Sequence, residues 1–366
     1  MKNELINRAI ALFHNEKPVL QRTEEIRSQP EDHRLVVFAE YPVGKYVIKI
    51  ASNSFTTAQR VNAWPALIAE YRKMGCCSPE MSLSRNGQYA EEFVSDGRRY
   101  VVWEEELAKL PFAEKLPASI LNGPNGQPHY YEGLIRFMGK VAQRKLSGFP
   151  GKSGWVRLEP FGDDEETDET TECFQTFDWM VRQKAPSFVD RWQGIRFLYE
   201  ENRKKLEKLY DRLPTSVFQG DWGEANLLLD NEGGFAGLID YNLAGEDTAL
   251  NMFISFCMFS GMYSRLSDEE VLAPDELPYL NRRTRERLIE QMLGTFRLLR
   301  MEYTFSEIEA EAAPLLFKYI MSVEYAQINA LEKYSDDPAK LESLFGFMEY
   351  ELRREDIDFR SAMLGD

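Results

Sequence analysis

The stretch VFQGDWGEANLLLDNEGGFAGLIDYNLAG, residues 217–245, decides the fold. It contains two short apolar runs, NLLLD and FAGLID, joined by a glycine-containing turn, and this pattern predicts a buried β-hairpin. Asp221 lies in the loop before the first run, and Asp240 ends the second run. A buried carboxylate costs free energy unless it has partners. The two acids therefore indicate that this hairpin carries chemistry.

Asp221 and Asn226 have the D-x-x-x-x-N spacing of a kinase catalytic loop, and Asp240 follows at the end of the next strand. Phosphoryl transfer from ATP needs a carboxylate at the acceptor hydroxyl, oxygen ligands for magnesium and a cation on the phosphates. The alternative interpretation is that Asp221 caps a turn and Asp240 merely ends a strand. The spacing alone is a weak signal, but this alternative has to account for three residues at once, so the pattern favours phosphoryl transfer.

The segments QGDWGEANLLLD and GLIDYNLAGED resemble the aminoglycoside phosphotransferase and choline kinase-like family, whose usual motifs are H-G-D-x-x-x-x-N, I-D-[WFY] and a nearby Gly-Asp. The resemblance is strong over residues 217–251 and moderate over residues 34–107. It implies an α+β, two-lobed, protein-kinase-like fold with a small antiparallel-sheet N-lobe and a larger, mainly helical C-lobe. It also implies that Asp221 is the catalytic base and that Asn226 and Asp240 are magnesium ligands.

The N-terminal part supplies a candidate lysine for the phosphates. Residues 1–30 are expected to be helical and then irregular, and the runs RLVVFAEY and KYVIKIA around a PVG turn predict a hairpin. Lys49 lies in the second run, where the phosphate-binding lysine of kinases lies on a central strand. The alternative is an exposed lysine on an edge strand.

A helix is predicted over residues 66–75, closed by Gly75. It contains Glu70, which is a candidate for the glutamate that pairs with Lys49 in the family. Gln59 and Asn62 are polar alternatives for that role.

Three further strands are predicted in EMSLS, QYAEEFV and RRYVVWEEE, separated by RNG and SDG turns. The last of them resembles the strand that leads into the interlobe hinge, where the backbone near Glu105 and Glu106 is expected to meet adenine. The family's histidine is replaced by Gln219, whose amide can support the loop by hydrogen bonding. Residues 23–38 contain no glycine-rich phosphate loop. These departures leave a second interpretation open, a catalytically silent kinase-like module that binds nucleotide or partners or has a structural role.

After Leu107 the chain is mainly helical, so we predict a nucleotide-binding lobe over residues 1–107 and a catalytic and acceptor-binding lobe over residues 108–366. The acidic run 163–172 is expected to be a solvated loop or a lip that attracts a cationic acceptor. Glu246 and Asp247 follow close to where the family closes its acceptor pocket, and Asp247 alternatively caps the next helix.

The charge and composition of the chain limit the classes of molecule that it is expected to bind. The net charge is −16 and the pI is about 4.9, and such a surface repels nucleic acid but tolerates a cationic small molecule. The cysteines show no CxxC spacing, and GFPGKSG has Leu146 where a P-loop needs glycine. The N-terminus lacks the apolar core of a signal peptide, and the most apolar segment is too short to span a bilayer. We therefore expect a cytoplasmic, ATP- and Mg²⁺-dependent phosphotransferase acting on a hydroxyl of an aminoglycoside-, amino alcohol- or sugar-like acceptor.

Overall fold

The computed structural model describes residues 2–27, 32–117, 127–158, 168–260 and 282–365. The strands are β1 (Val19–Ile26), β2 (His33–Tyr41), β3 (Gly44–Ser52), β4 (Ala90–Ser95), β5 (Arg98–Glu106), β6 (Thr215–Phe218), β7 (Leu227–Leu229), β8 (Phe235–Leu238) and β9 (Gly245–Thr248). The helices are α1 (Lys2–Phe13), α2 (Ala58–Lys73), α3 (Tyr130–Arg144), α4 (Glu169–Lys184), α5 (Val189–Tyr210), α6 (Ala249–Ser255), α7 (Arg282–Leu299), α8 (Glu307–Ser322), α9 (Tyr325–Lys333), α10 (Pro338–Arg353) and α11 (Phe359–Leu364).

A five-stranded antiparallel sheet in the order β1-β2-β3-β5-β4 forms the N-terminal part. The predicted hairpin is β2 and β3, and Lys49 lies on β3, the central strand, opposite Val36 and Trp103. Buried positions alternate along β2, as expected for a strand with one face on a core. That core is made by α1 with one face of the sheet and includes Leu5, Ile6, Ile10, Phe13, Leu35, Val37, Ile48, Ile50 and Val102.

The structure differs from the predicted strands in two places. The strand predicted in EMSLS is wrong, because Met81 makes only an isolated bridge to Glu105, and β4 pairs with the rest of β5. Strand β1 is absent from the sequence-based prediction. Its side chains are exposed on both faces, so the chain carries no apolar alternation there that could have marked it.

Helix α2 begins eight residues before the predicted start. The Thr57 side chain accepts a hydrogen bond from the Arg60 N–H and caps the helix. Pro65 lies inside the helix, and because proline usually ends a helical pattern, the sequence pattern begins only after it. The predicted end is confirmed, since Gly75 has φ +90° just beyond Lys73.

The chain forms two compact units. The sheet unit comprises Met1–Phe137, Ser147–Gly154 and Val217–Glu246, and the helical unit comprises Met138–Leu146, Trp155–Ser216 and Asp247–Asp366. The two functional lobes predicted on either side of Leu107 stay a prediction, and the compact units divide the chain at other positions. The 217–246 hairpin lies with the N-terminal sheet because the Cys77 N–H donates to Ala236 O at 2.8 Å and the Leu229 N–H donates to Pro111 O at 3.0 Å.

The helical unit is built from packed helices, with α5 against α8 and α10, and α4 against α9. The mainly helical character predicted after Leu107 is present in the described residues as helices α3 to α11, although strands β6 to β9 interrupt it. Within the described residues, no helix combines the length and the apolar character that crossing a membrane requires.

Candidate functional site

The site is built on the loop after β6. Gln219 is fully buried, and its Nε2 donates to Ile239 O at 2.8 Å and to Asp240 O at 2.5 Å. Its Oε1 accepts the Asp221 N–H at 2.7 Å. One amide therefore fixes the loops of both acids, which is the supporting role that the sequence predicts for this position.

Gly220 makes this loop possible. It has φ +88°, and a Cβ atom there would lie 2.4 Å from Leu243 O. A larger residue would meet both a backbone clash and a left-handed conformation that side chains disfavour. The chain therefore turns tightly at Gly220 and presents Asp221.

Asp221 and Asn226 lie within one short loop. Asp221 Oδ1 accepts the Gly223 N–H at 3.3 Å, and Asn226 Nδ2 donates to Asp221 O at 3.3 Å. Burial raises the pKa of Asp221, and the negative charge of Asp240 raises it further. This is the electrostatic setting of a carboxylate that can take up a proton.

Asp240 stands beside this loop in a strained backbone conformation. Its φ is +57°, which is uncommon for a residue with a side chain and is typical of functional sites. The Ile239 N–H donates to Asn226 O at 3.0 Å and so brings the two loops together. Asp240 Oδ1 is buried, and no hydrogen-bond donor reaches it from the described residues. Such an oxygen is suited to a cation.

Lys49 supplies the positive charge. Its Nζ lies 3.0 Å from Glu105 Oε1 and 3.9 Å from Asp240 Oδ1, and its side chain is only 12% exposed. Burial alone would lower the pKa of Lys49, but Asp240 and Glu105 outweigh burial, and the net pKa is raised. The lysine is therefore held charged beside Asp240, and the alternative of an exposed lysine on an edge strand does not describe it.

The partner of Lys49 differs from the expected one. Glu70 pairs with Lys73 at 2.5 Å, and the Asn62 side chain is engaged with the Tyr89 N–H at 2.9 Å, while Gln59 is exposed. Glu105 takes the role because β3 and β5 pair with Val47 opposite Glu105, which puts residues 47, 49, 103 and 105 on one face of the sheet. Strand pairing was the missing information, since sequence alone assigned Glu105 only a backbone role.

Two backbone N–H groups at the strand end that is expected to meet adenine are engaged within the protein. The Glu106 N–H donates to Glu80 O at 2.8 Å, and the Leu107 N–H donates to Lys45 O at 2.9 Å. Both backbone donors are therefore already used. The adenine contact near Glu105 and Glu106 stays a prediction.

The structure gives the other acidic candidates partners within the protein. Asp247 accepts hydrogen bonds from the Thr248 N–H at 2.7 Å and from Asn251 Nδ2 at 3.0 Å, and Thr248, not Asp247, is the N-cap of α6. Glu246 pairs with Lys152 at 2.6 Å. Of the acidic run, residues 163–167 lie outside the described residues, and Asp168 is buried as the N-cap of α4.

No protein-family model matches the chain, and a search of curated protein sequences finds no match. Among solved structures, the chain is similar to an amicoumacin kinase in complex with AMP-PNP, Ca²⁺ and Ami, with 13% identity over 98% of this chain and 96% of that one, and a TM-score of 0.55. It is also similar to a microcompartment-associated aminopropanol kinase (11% identity, 99% of each chain, TM-score 0.49). A spectinomycin phosphotransferase in complex with ADP and spectinomycin gives 9% identity, 98% and 97% coverage and a TM-score of 0.48.

These likenesses concern the fold. The chain has an α+β, protein-kinase-like fold, with a five-stranded antiparallel sheet and a mostly helical remainder, as in the amicoumacin kinase. The fold class and the resemblance read from the 217–245 motif are therefore confirmed. A fold alone does not fix a reaction, so function has to be argued from the residues of the site.

Proposed function

We propose that this chain, which has the fold of small-molecule kinases, transfers the γ-phosphoryl group of ATP to a hydroxyl of a small molecule in a magnesium-dependent reaction. One observation carries the proposal: Lys49 Nζ lies 3.9 Å from Asp240 Oδ1, and Asp240 is tied through Gln219 to the loop of Asp221. This arrangement within the sheet unit supports Lys49 as the cation for phosphates, Asp240 as a metal ligand and Asp221 as the base.

The donor set fits magnesium bound together with a nucleotide. In the described part of the chain, no cluster of three or more His, Cys, Asp or Glu side chains surrounds a metal position. Magnesium needs few protein ligands, because it keeps several waters and binds substrate phosphates. Asp240, whose Oδ1 lacks a hydrogen-bond donor from the described residues, and the amide of Asn226 would hold it. When bound, the ion would neutralise charge on the phosphates.

The remaining roles belong to the chain's own residues. Lys49 would bind the phosphates of the nucleotide, with Glu105 orienting its ammonium group. Asp221 would orient the acceptor hydroxyl in line with the γ-phosphate and accept its proton. The acceptor is proposed to be aminoglycoside-, amino alcohol- or sugar-like, and the net charge of −16 favours a cationic one over an anionic one.

A thermal-shift titration with ATP, with and without Mg²⁺, tests the nucleotide site. A ligand that binds only the folded state raises the melting temperature by mass action. We expect a Mg²⁺-dependent rise in the wild type that Asp240→Ala loses. Asp230→Ala is the control, because Asp230 only caps the β7–β8 turn through the N–H groups of Glu232 and Gly234.

The opposite outcome supports a second candidate function. The sequence between β1 and β2, residues 27–32, contains no glycine, so it lacks the glycine-rich motif that covers phosphates in kinases. This observation favours a catalytically silent module. No rise at millimolar ATP would exclude the kinase and leave that module as the function to pursue with protein partners.

The pH dependence follows from the raised pKa of Asp221. A base acts in its deprotonated form, so activity falls as the pH falls through that pKa, and the acid limb lies above the ordinary aspartate value of 3.8. A cation on Asp240 would cancel part of the charge that raises this pKa. We therefore expect the acid limb of kcat/KM for the acceptor to move to lower pH as Mg²⁺ approaches saturation. An acid limb that ignores Mg²⁺ would contradict the coupling of the two carboxylates.

A further inference from the structure

The segment GFPGKSG, rejected as a P-loop, has a definite place in the sheet unit. Residues 147–154, here called the strap, lie along residues 243–246, which follow the loop of Asp240. The Ser153 N–H donates to Glu246 O at 3.0 Å, the Gly154 N–H to Leu243 O at 3.1 Å and the Glu246 N–H to Gly151 O at 3.1 Å. The strap is therefore bonded to the backbone that leaves the metal-binding aspartate.

This contact leaves no space for a side chain between the two segments. A Cβ atom on Gly245 would lie 2.1 Å from the carbonyl carbon of Lys152 and 2.3 Å from Ser153 N, far inside van der Waals contact. The strap and the 243–246 segment are thus packed and hydrogen-bonded backbone to backbone.

Arg60, on helix α2, holds both segments at once. Its Nη2 donates to Ala244 O at 2.6 Å and to Lys152 O at 3.0 Å. The guanidinium stacks over the Phe55 ring, with Cζ 4.0 Å from the ring centroid. Burial lowers the pKa of Arg60 to about 10, so the side chain stays charged at neutral pH, and two carbonyl oxygens share that charge.

The hydrogen bond from Arg60 to Ala244 O holds the backbone segment that follows Asp240. The Ala244 N–H donates to Tyr241 O at 2.9 Å, which closes the turn directly after Asp240. Leu243 O is the atom against which Gly220, next to Asp221, is packed. A shift of Ala244 would therefore reach the left-handed backbone of Asp240 and the loop of Asp221.

We propose that Arg60 is a positioning residue for Asp240, and that helix α2 is coupled to the metal site through this arginine and the strap. In this chain Glu70 of α2 pairs with Lys73, so a helix glutamate on Lys49 does not provide the coupling. The inference rests on the proposed function, because it concerns how strongly Asp240 binds magnesium with ATP.

The test is the Mg²⁺ concentration that gives half of the ATP-dependent thermal shift, measured at saturating ATP. Removing a group that is hydrogen-bonded to a metal ligand costs roughly 10–100-fold in metal affinity. Arg60 acts one step further away, through Ala244 O, so Arg60→Gln is expected to raise this concentration severalfold, up to about 10-fold. Arg60→Lys should restore part of the affinity, since an ammonium can still donate to a carbonyl oxygen. The melting temperature without ligand is recorded for each variant and reports folding separately.

Arg203→Gln is the control for general destabilisation. Arg203 is a buried arginine of the helical unit that donates to Tyr319 OH at 2.7 Å, and its loss should lower the melting temperature but leave the Mg²⁺ response unchanged. Should Arg60→Gln not fold, Phe55→Leu keeps the arginine, removes its stacking ring and is expected to shift the Mg²⁺ response in the same direction by a smaller factor.

The outcomes are separable. If the wild type shows no Mg²⁺-dependent shift, the proposed function fails. If the wild type responds and the Arg60 variants, or Phe55→Leu in their place, respond with the same half-saturation, only the positioning role is overturned. A lower melting temperature with an unchanged Mg²⁺ half-saturation would show that Arg60 is merely structural.

Discussion

Asp221→Asn is expected to lower the rate of phosphoryl transfer by about 10²–10⁴-fold, the range that general base catalysis contributes. The asparagine has the same shape and can still accept the Gly223 N–H bond that Asp221 Oδ1 accepts at 3.3 Å. It cannot take a proton from the acceptor hydroxyl. The loss should therefore appear in kcat. It is measured as the rate at which ATP is converted to ADP in the presence of an acceptor found by screening.

Nucleotide binding separates this role from a structural one. Asp221 is not among the groups that hold the phosphates or the metal in our proposal, so the Mg²⁺-dependent thermal shift with ATP should stay close to that of the wild type. Asp230→Asn, in the same hairpin, should change neither quantity, because an asparagine can also accept the turn bonds of Glu232 and Gly234. Parallel loss of turnover and ATP binding in Asp221→Asn would contradict the role of base.

The part of the site that sequence predicts well is the part encoded locally. Asp221, Asn226 and Asp240 lie within twenty residues, and the apolar runs between them fix a hairpin. Lys49 is also marked locally, since a lysine between Val47, Ile48 and Ile50 is unusual in a strand. Short-range patterns such as these need no knowledge of tertiary contacts.

What the sequence does not predict depends on contacts between distant segments. Glu105 reaches Lys49 only because β3 and β5 are neighbours, and sequence order does not reveal which strands pair. Arg60 and Ala244 are 184 positions apart, so neither residue carries a sign of the other. The division into compact units also depends on distant contacts. The hairpin belongs to the N-terminal unit because of backbone hydrogen bonds with Cys77 and Pro111, and no local sequence pattern predicts these bonds.

A buried charge network in the helical unit has the largest expected effect on stability. Arg285 is fully buried, and its guanidinium contacts Glu324 at 3.5 Å, Glu351 at 3.3 Å and Met321 O at 2.9 Å. Arg354 continues the network to Glu351 at 3.2 Å. Burial raises the pKa of Glu324 to about 7, although Arg285 opposes this rise.

The raised pKa of Glu324 makes the stability contribution of this network depend on pH. A carboxyl group whose pKa is raised in the folded state binds more protons there than in the unfolded chain. Its contribution to stability is therefore intact below the ordinary value of 4.5 and is lost as the pH rises through about 7. At higher pH the ionised Glu324 depends on Arg285 for its counter-charge.

Arg285→Met is therefore expected to destabilise the protein by about 3–5 kcal/mol near pH 8, because it leaves Glu324 buried without its cation, while Glu351 keeps its pair with Arg354. The cost should be smaller near pH 5, where Glu324 is largely protonated, and Glu324→Gln in the Arg285→Met background should recover part of it at pH 8. Arg353→Met removes an exposed pair with Glu349 on α10 and should cost less than about 1 kcal/mol. Urea unfolding of the full chain, followed by circular dichroism at both pH values, measures the free energy of unfolding of the wild type and of each variant. If Arg285→Met costs no more than Arg353→Met, the buried network does not hold the helical unit together.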